Sequence, residues 1–464
     1  MKLIFSCVLV LILVTLLVYS EFLGMHDTFV KASTSPEMDK LPQVIKDPDL
    51  KVELVFGGLP FSTGMAFLGH DDILVLEKKD GTVRRIVNGE MLNEPLLDLN
   101  VANKGERGLL GIALSKNTDV NKTNVFLFFT ESKYNVDDRE ICKVRNHCTS
   151  GNPVGHRLYR YELVNNELMN PQLVLDLPSN PGAAHLGGVI TIGPDNNLYV
   201  ITGDGDSCEF QSCRDNISGS VVNAKTANVQ NGDLPVGRGG IIRVTQDGKA
   251  VDDGILGDKY PLNMYYAYGI RNGFGLDFDP VTGNLWDTEN GPAFGDEINL
   301  VEPGFNSGWI RVQGFWPINN SSLLDDNQTS GYAGKDELSK EPDNLVDFDK
   351  HGKYSNPEFS WNLTVGVTSI EFFNSDKLGK QYKNDLFVGE INWGNVYHFD
   401  LKENRTELDL PGPLKDKIAG DFQELQEVVF AKGFGGGITD IETGIDGYMY
   451  ILTGNGSLYR IIPS

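Results

Sequence analysis

Cysteine is scarce, at five in 464 residues, and one of these, Cys7, lies in an apolar N-terminal run. A dense disulfide framework therefore cannot carry the fold, and a hydrophobic core must. The remaining cysteines form two close pairs, Cys142 with Cys148 and Cys208 with Cys213, both in polar loop-like stretches. They lack the C-x2-C spacing and nearby histidines of a zinc site, and read as two loop-pinning disulfides of an oxidising compartment. Positive charge is also short: 40 basic against 64 acidic residues leaves a formal charge of −24. That balance excludes nucleic acid and anionic lipid surfaces as partners. It also means that any anionic ligand must be met by a local cluster of cations. Helical periodicity is rare, with one short candidate, Asp421 to Ala431. No Gly-x-Ser-x-Gly elbow, His-Glu-x-x-His pair, Rossmann unit or Cys-x-x-Cys-His haem attachment is present, which removes several common enzyme classes.

Past the N-terminus no apolar run is long enough to span a bilayer. Leu3 to Val18 is almost continuously apolar after a lone Lys2. Residues 1–32 read as a secretory signal peptide or a signal anchor and residues 33–50 as a linker, so the globular part is expected outside the cytoplasm. Membrane contact is expected through the N-terminal segment alone. Asn-x-Ser/Thr acceptors at Asn121, Asn216, Asn320, Asn327, Asn362, Asn404 and Asn455 are compatible with export.

What the chain has in abundance is one repeated unit. Gly64–Phe67 leads to Asp72–Leu76 and Thr82–Arg85; Leu109–Leu114 leads to Asn124–Phe129 and Arg157–Tyr161. Gly188–Ile192 leads to Leu198–Ile201 and Gly240–Val244. Gly275–Phe278 and Leu285–Trp286 flank a turn at Asp279-Pro280-Val281-Thr282-Gly283-Asn284. Val367–Phe372 and Gly437–Ile441 begin two more copies. Sheets that cannot bury both faces alone and recur in series predict an all-β, six-bladed β-propeller of four-stranded antiparallel blades over residues 51–464. The alternating segment Lys51–Phe56 is expected to add the outer strand of the last blade and close the ring. Lys133–Gly155, Ser207–Val236 and Pro317–Asn356 read as loops.

The fourth unit crowds polar residues at its ends. Arg271 and Asn272 precede it, and Glu289-Asn290-Gly291-Pro292 with Asp296 and Glu297 follow. The carbonyls of Gly291 and Pro292 and the two acids are hard oxygen donors of the kind Ca²⁺ takes; solvated acids beside a Gly-Pro turn would look the same. Arg271 suits an anion, or an ion pair between blades. His185, in Ala183-Ala184-His185-Leu186-Gly187-Gly188, occupies the corresponding position before the third unit. A histidine there is either structural or a base able to take a hydroxyl proton. Gly105-Glu106-Arg107-Gly108-Leu109-Leu110-Gly111 has no Lys-Ser/Thr and no following helix, so it is not a nucleotide loop.

Taken in order, Gly105–Gly111, His185–Gly188 running into Ile192–Asp195, Gly269–Asn272, Glu289–Pro292 with Asp296–Asn299, and Asn306–Trp309 resemble the soluble dehydrogenases of glucose, aldoses and sorbosone that use pyrroloquinoline quinone (PQQ). The resemblance spans about residues 50 to 462. It implies a six-bladed propeller using PQQ and Ca²⁺. His185 would take the proton of a sugar C1 hydroxyl as hydride passes to the quinone, with Arg271 stabilising the charge that develops there. Asn272 and Glu106 would contact the cofactor, and Gly291 and Pro292 would hold the Ca²⁺.

The chain departs from that family at three cofactor-gripping cations. Asn392 stands where the fifth blade has a lysine, and Gly437-Ile438-Thr439-Asp440 replaces an Arg-x-Arg-Asp. Glu106 replaces a frequent glutamine. Arg107 and Lys432 are the substitutes nearest in sequence. The expected function is oxidation of an aldose or similar polyol, with electrons leaving to a separate acceptor. The alternatives are a non-catalytic extracellular propeller that binds glycan or protein and a metal-dependent lactonase.

Overall fold

The computed structural model describes residues 43–117, 122–133, 153–179, 183–205, 224–234, 236–252, 254–318, 342 and 344–464. The cysteine pairs, the apolar run Leu3–Val18 and the acceptors Asn121, Asn216, Asn320 and Asn327 lie outside them. Among the described residues, no helix is long and apolar enough to cross a membrane.

The chain is an all-β propeller. Its inner strands are Ser62–Gly69, Leu109–Asn117, Ile190–Ile192, Gly273–Phe278, Val367–Phe372 and Ile438–Thr443. Each packs beside the next, and Ile438–Thr443 returns to Ser62–Gly69, so the strands surround a central channel. Every one of them is the terminal strand of its own sheet. Neighbouring sheets cover each other's faces, so the middle strands Leu198–Thr202, Leu285–Glu289, Leu386–Glu390 and Met449–Thr453 are buried along their whole length. Strands covered on both faces read as continuous apolar runs, not as alternation. Between the fourth and fifth sheets this packing brings together Trp286, Trp361, Phe372, Val388 and Tyr397.

The structure does not repeat one four-stranded antiparallel blade. The sheets that begin at Leu109–Asn117 and Ile438–Thr443 have four strands, whereas the others have five or six. The extra strands come from connections between the main strands and, in the fifth sheet, from the segment before the first blade; they return along open edges and satisfy their backbone groups. Some pair in parallel: Tyr268 with Asn306, Asn306 with Tyr354 and Trp361 with Ala419. Ring closure follows the sequence expectation, since Leu50–Gly57 runs antiparallel to Ser457–Pro463 from Leu50 opposite Pro463 to Gly57 opposite Ser457.

Three local expectations are corrected. The helix is only Phe422–Leu425, capped by the Asp421 carboxylate on the amides of Gln423 and Glu424, and Val429–Lys432 is a strand. The Val-Phe-Ala run has a β partner on each side, Val396–Phe399 and Val44–Ile45, so pairing overrides helical continuation. For the same reason the expected linker already contributes Val44–Ile45 to a sheet. Asn362, read as a glycan acceptor, is fully buried and unavailable, while Asn404 and Asn455 are exposed.

Candidate active site

Connections between the inner strands meet at one mouth of the channel around a cavity of about 410 Å³. His185, Arg271, Asn272 and Glu106 all line it, although they come from three different connections. The wall between them is largely apolar, from Phe61, Leu110, Val189, Phe274 and Ile391. Such a wall lowers the local dielectric and strengthens each polar contact inside it.

His185 sits in the left-handed region at φ 56°, a cost borne by a non-glycine residue where the surroundings dictate its position. Its Nδ1 lies 2.8 Å from Asp204 Oδ1, and Trp309 Nε1 donates to Asp204 Oδ2 at 2.7 Å. With Nδ1–H given to the carboxylate, Nε2 carries the lone pair. The backbone adds two ties: Asp204 N donates to Arg271 O at 2.8 Å, and Gly205 N to His185 O at 3.0 Å. Gly203 is required between them, because a Cβ there would stand 2.3 Å from His185 O and 2.9 Å from Arg271 O.

Arg271 Nη1 donates to the carbonyls of Asn290 and Gly291 at 2.9 and 3.0 Å, and its guanidinium lies 5.4 Å from the centre of the Trp309 ring. Those contacts fix its plane at the cavity wall. Asn272 is buried; its Nδ2 reaches Glu106 Oε2 at 3.4 Å, and its Oδ1 has no partner. A buried amide oxygen without a donor is costly, so it marks a place for a ligand group. Glu106 Oε2 also accepts from the amide of Leu186.

The acidic part of the expected metal set is corrected. Asp296 and Glu297 are fully buried in a strand and do not line the cavity. Asp296 turns its oxygens to the amides of Gly291, Val365 and Gly366. Glu297 accepts from Gln313, Gly314, Asn299 and Ser307. Burial pushes the two carboxyls up to about 6 and about 7 respectively, against those hydrogen bonds. Asp296 latches the loop that carries Gly291 and Pro292 to the sheet, and Glu297 holds the Gln313–Gly314 turn. The Gly291 carbonyl meanwhile faces a guanidinium, and that donor set by itself does not fit a hard dication.

Several contributors were not recognised in sequence. Asp204 follows Gly203 with no pattern to single it out, and Lys78 comes from the end of a strand in the first sheet. Asn392 and Thr439, two of the positions where the family has cations, do line the cavity and bring no charge. Neither suggested substitute reaches it: Arg107 is buried elsewhere, and Lys432 is exposed on a strand opposite Val44. Besides Arg271, Lys78 is a cation that does line it.

Comparison with known proteins agrees with this architecture. An uncharacterised protein of Synechocystis is 26% identical over 443 residues, covering 92% of this chain and 90% of its own. An aldose sugar dehydrogenase of Escherichia coli is 24% identical over 420 residues, covering 89% and 93%. The solved PQQ-bound form of an aldose sugar dehydrogenase from Streptomyces coelicolor superposes with a TM-score of 0.58 at 20% identity, covering 90% of this chain and 99% of that one; at this identity it shows the shared fold. Residues 59–460 match the glucose/sorbosone dehydrogenase family over most of the chain. The chain belongs to that family.

Proposed function

We propose that the protein is a PQQ-dependent sugar dehydrogenase that oxidises the anomeric hydroxyl of an aldose. The observation that supports this most is the His185–Asp204 pair facing the same cavity as Arg271. The six larger sheets are read as six blades of one ring around that cavity. We also propose that the globular part is exported, on the strength of the apolar run Leu3–Val18.

A cavity of about 410 Å³ is within the range that holds a planar cofactor of this size. The unpartnered Asn272 Oδ1 and the cations Arg271 and Lys78 fit a ligand that carries both a donor and acid groups. When bound, PQQ supplies an ortho-quinone able to accept a hydride equivalent from the sugar. His185 Nε2 takes the C1 hydroxyl proton, and Asp204 stabilises the imidazolium that results. Trp309 keeps the second Asp204 oxygen occupied, so the carboxylate cannot turn away from the ring. Arg271, held by two carbonyls and the indole face, sets a fixed positive charge where negative charge builds on an acceptor oxygen. Phe61, Val189, Phe274 and Ile391 exclude water from the reacting atoms. Electrons leave to a separate acceptor, since the sequence has no haem attachment.

The direct test is sugar oxidation by the PQQ-loaded protein, with an artificial dye as acceptor. Wild type should reduce the dye in the presence of an aldose, and His185→Ala should not. Equal activity in the two proteins would refute the role of His185.

A further inference from the structure

Lys78 is a buried cation that lines the cavity together with Arg271. Its backbone is held between two connections, with Lys78 N donating to Phe61 O and Leu109 N donating to Lys78 O. The side chain runs into the cavity wall and is 6% exposed. Among the described residues its ammonium donates to one acceptor, Gly105 O at 2.6 Å, and lies 5.4 Å from the centre of the Phe61 ring. An ammonium has three donors, so two N–H groups remain without a hydrogen bond. Glu106 is the nearest opposing charge by its effect, but the two form no ion pair. Burial lowers the Lys78 pKa to about 8, which is the response of a cation that lacks its counter-charge.

Position adds a second argument. Lys78 follows the second strand of the first sheet and Arg271 precedes the inner strand of the fourth. With six inner strands in a ring, the first and fourth face each other across the channel. The two cations come from different blades and line one cavity in a protein whose formal charge is −24. The positions where the family grips its cofactor, Asn392 and Thr439, lie on the fifth and sixth blades and are uncharged here.

We propose that Lys78 is the carboxylate-binding cation of this cavity, gripping a polycarboxylate ligand from the first blade in place of cations on the fifth and last. This rests on the reading of the cavity as a cofactor site and adds to it the residue that anchors the acid groups. Lys78 is a binding and positioning residue and takes no proton in the reaction.

The test is calorimetric titration of the full-length protein with PQQ and, separately, with citrate as a plain polycarboxylate. Lys78→Met should weaken PQQ binding by roughly tenfold or more, the scale of one charge-assisted hydrogen bond, and citrate binding likewise. Lys78→Arg should keep most of both affinities. Should Lys78→Met lower the thermal midpoint, Lys78→Gln, which can still donate to Gly105 O, takes its place. Citrate binding that depends on Lys78, without PQQ binding, would uphold the anion site and overturn the cofactor reading. Affinities unchanged within about twofold in the neutral variants, or a wild type that binds neither probe, would overturn the assignment of Lys78.

Discussion

Asp204 joins the two halves of the site, holding Nδ1 of His185 with its carboxylate and the backbone carbonyl of Arg271 with its amide, each at 2.8 Å. One residue therefore sets both the tautomer of the base and the starting point of the cation. Gly203 lets those two chains approach so closely.

Asp204→Asn should leave the cavity intact and misdirect the imidazole, because an amide can present its NH2 to Nδ1. We expect kcat to fall on the order of 10³–10⁴-fold while PQQ affinity, read by calorimetry, stays near wild type. A variant that loses affinity and rate together would point to a structural role instead.

Trp309→Phe removes the indole donor from Asp204 and keeps an aromatic face beneath Arg271. Loss of one hydrogen bond to a charged group is worth about 1.5–3 kcal/mol, so kcat should drop by roughly 10- to 100-fold. Circular dichroism should show an unchanged fold.

Arg271→Met should lower kcat by about 10²–10³-fold, the scale seen when one fixed stabilising donor is removed. Steady-state kinetics against sugar should place the loss mainly in kcat. A change confined to KM would mean that Arg271 binds sugar and does not stabilise developing charge.

Arg405 pins the fourth hairpin turn, with Nε and Nη2 each 2.7 Å from the Asp279 carboxylate. Asp279 is fully covered, whereas Arg405 keeps some of its side chain in water, which moderates the value of the pair. Arg405→Met should cost about 1–3 kcal/mol by denaturant titration, with PQQ affinity unaffected.

His156, which does not line the cavity, predicts an acid weakness. It is buried against Thr130 and stacked on Phe128, and burial, followed by Arg107, Arg238 and Arg157, lowers its pKa to about 3. The unfolded histidine takes its proton near pH ~6.5, before the folded one does. The stabilisation is therefore complete above that pH and is lost as pH falls toward 3, at about 1.4 kcal/mol per unit. Urea midpoints measured from pH 7 to 4 should fall more steeply in wild type than in His156→Gln.

The four carboxyls along the lower channel, Asp277, Glu371, Asp440 and Glu442, contribute the opposite slope. Burial raises all four, Asp277 and Asp440 to about 7. Comparison of wild type with the single variant cancels their contribution.

The sequence by itself determined the all-β propeller class and the polar ends of the fourth unit, but not the strand content of each sheet. Apolar strands punctuated by Asp-Pro and Gly turns recur regularly, and both signals are local, so the inner strands, the closing segment Lys51–Phe56 (observed as Leu50–Gly57) and the approach of His185, Arg271 and Asn272 to strand ends could be read from it. Local reading failed where pairing partners come from far away. Val44–Ile45 and Val429–Lys432 are strands because they meet each other, and extra edge strands return from connections between the main strands. It failed again at the acids: Asp296 and Glu297 look like oxygen ligands in a line of text, and only the sheet shows their oxygens turned inward to amides. Only the tertiary structure brought Asp204 to His185 and Lys78 into the cavity that Arg271 lines. Those contacts depend on ring closure, which places residues from different blades side by side, and no spacing along the chain encodes them.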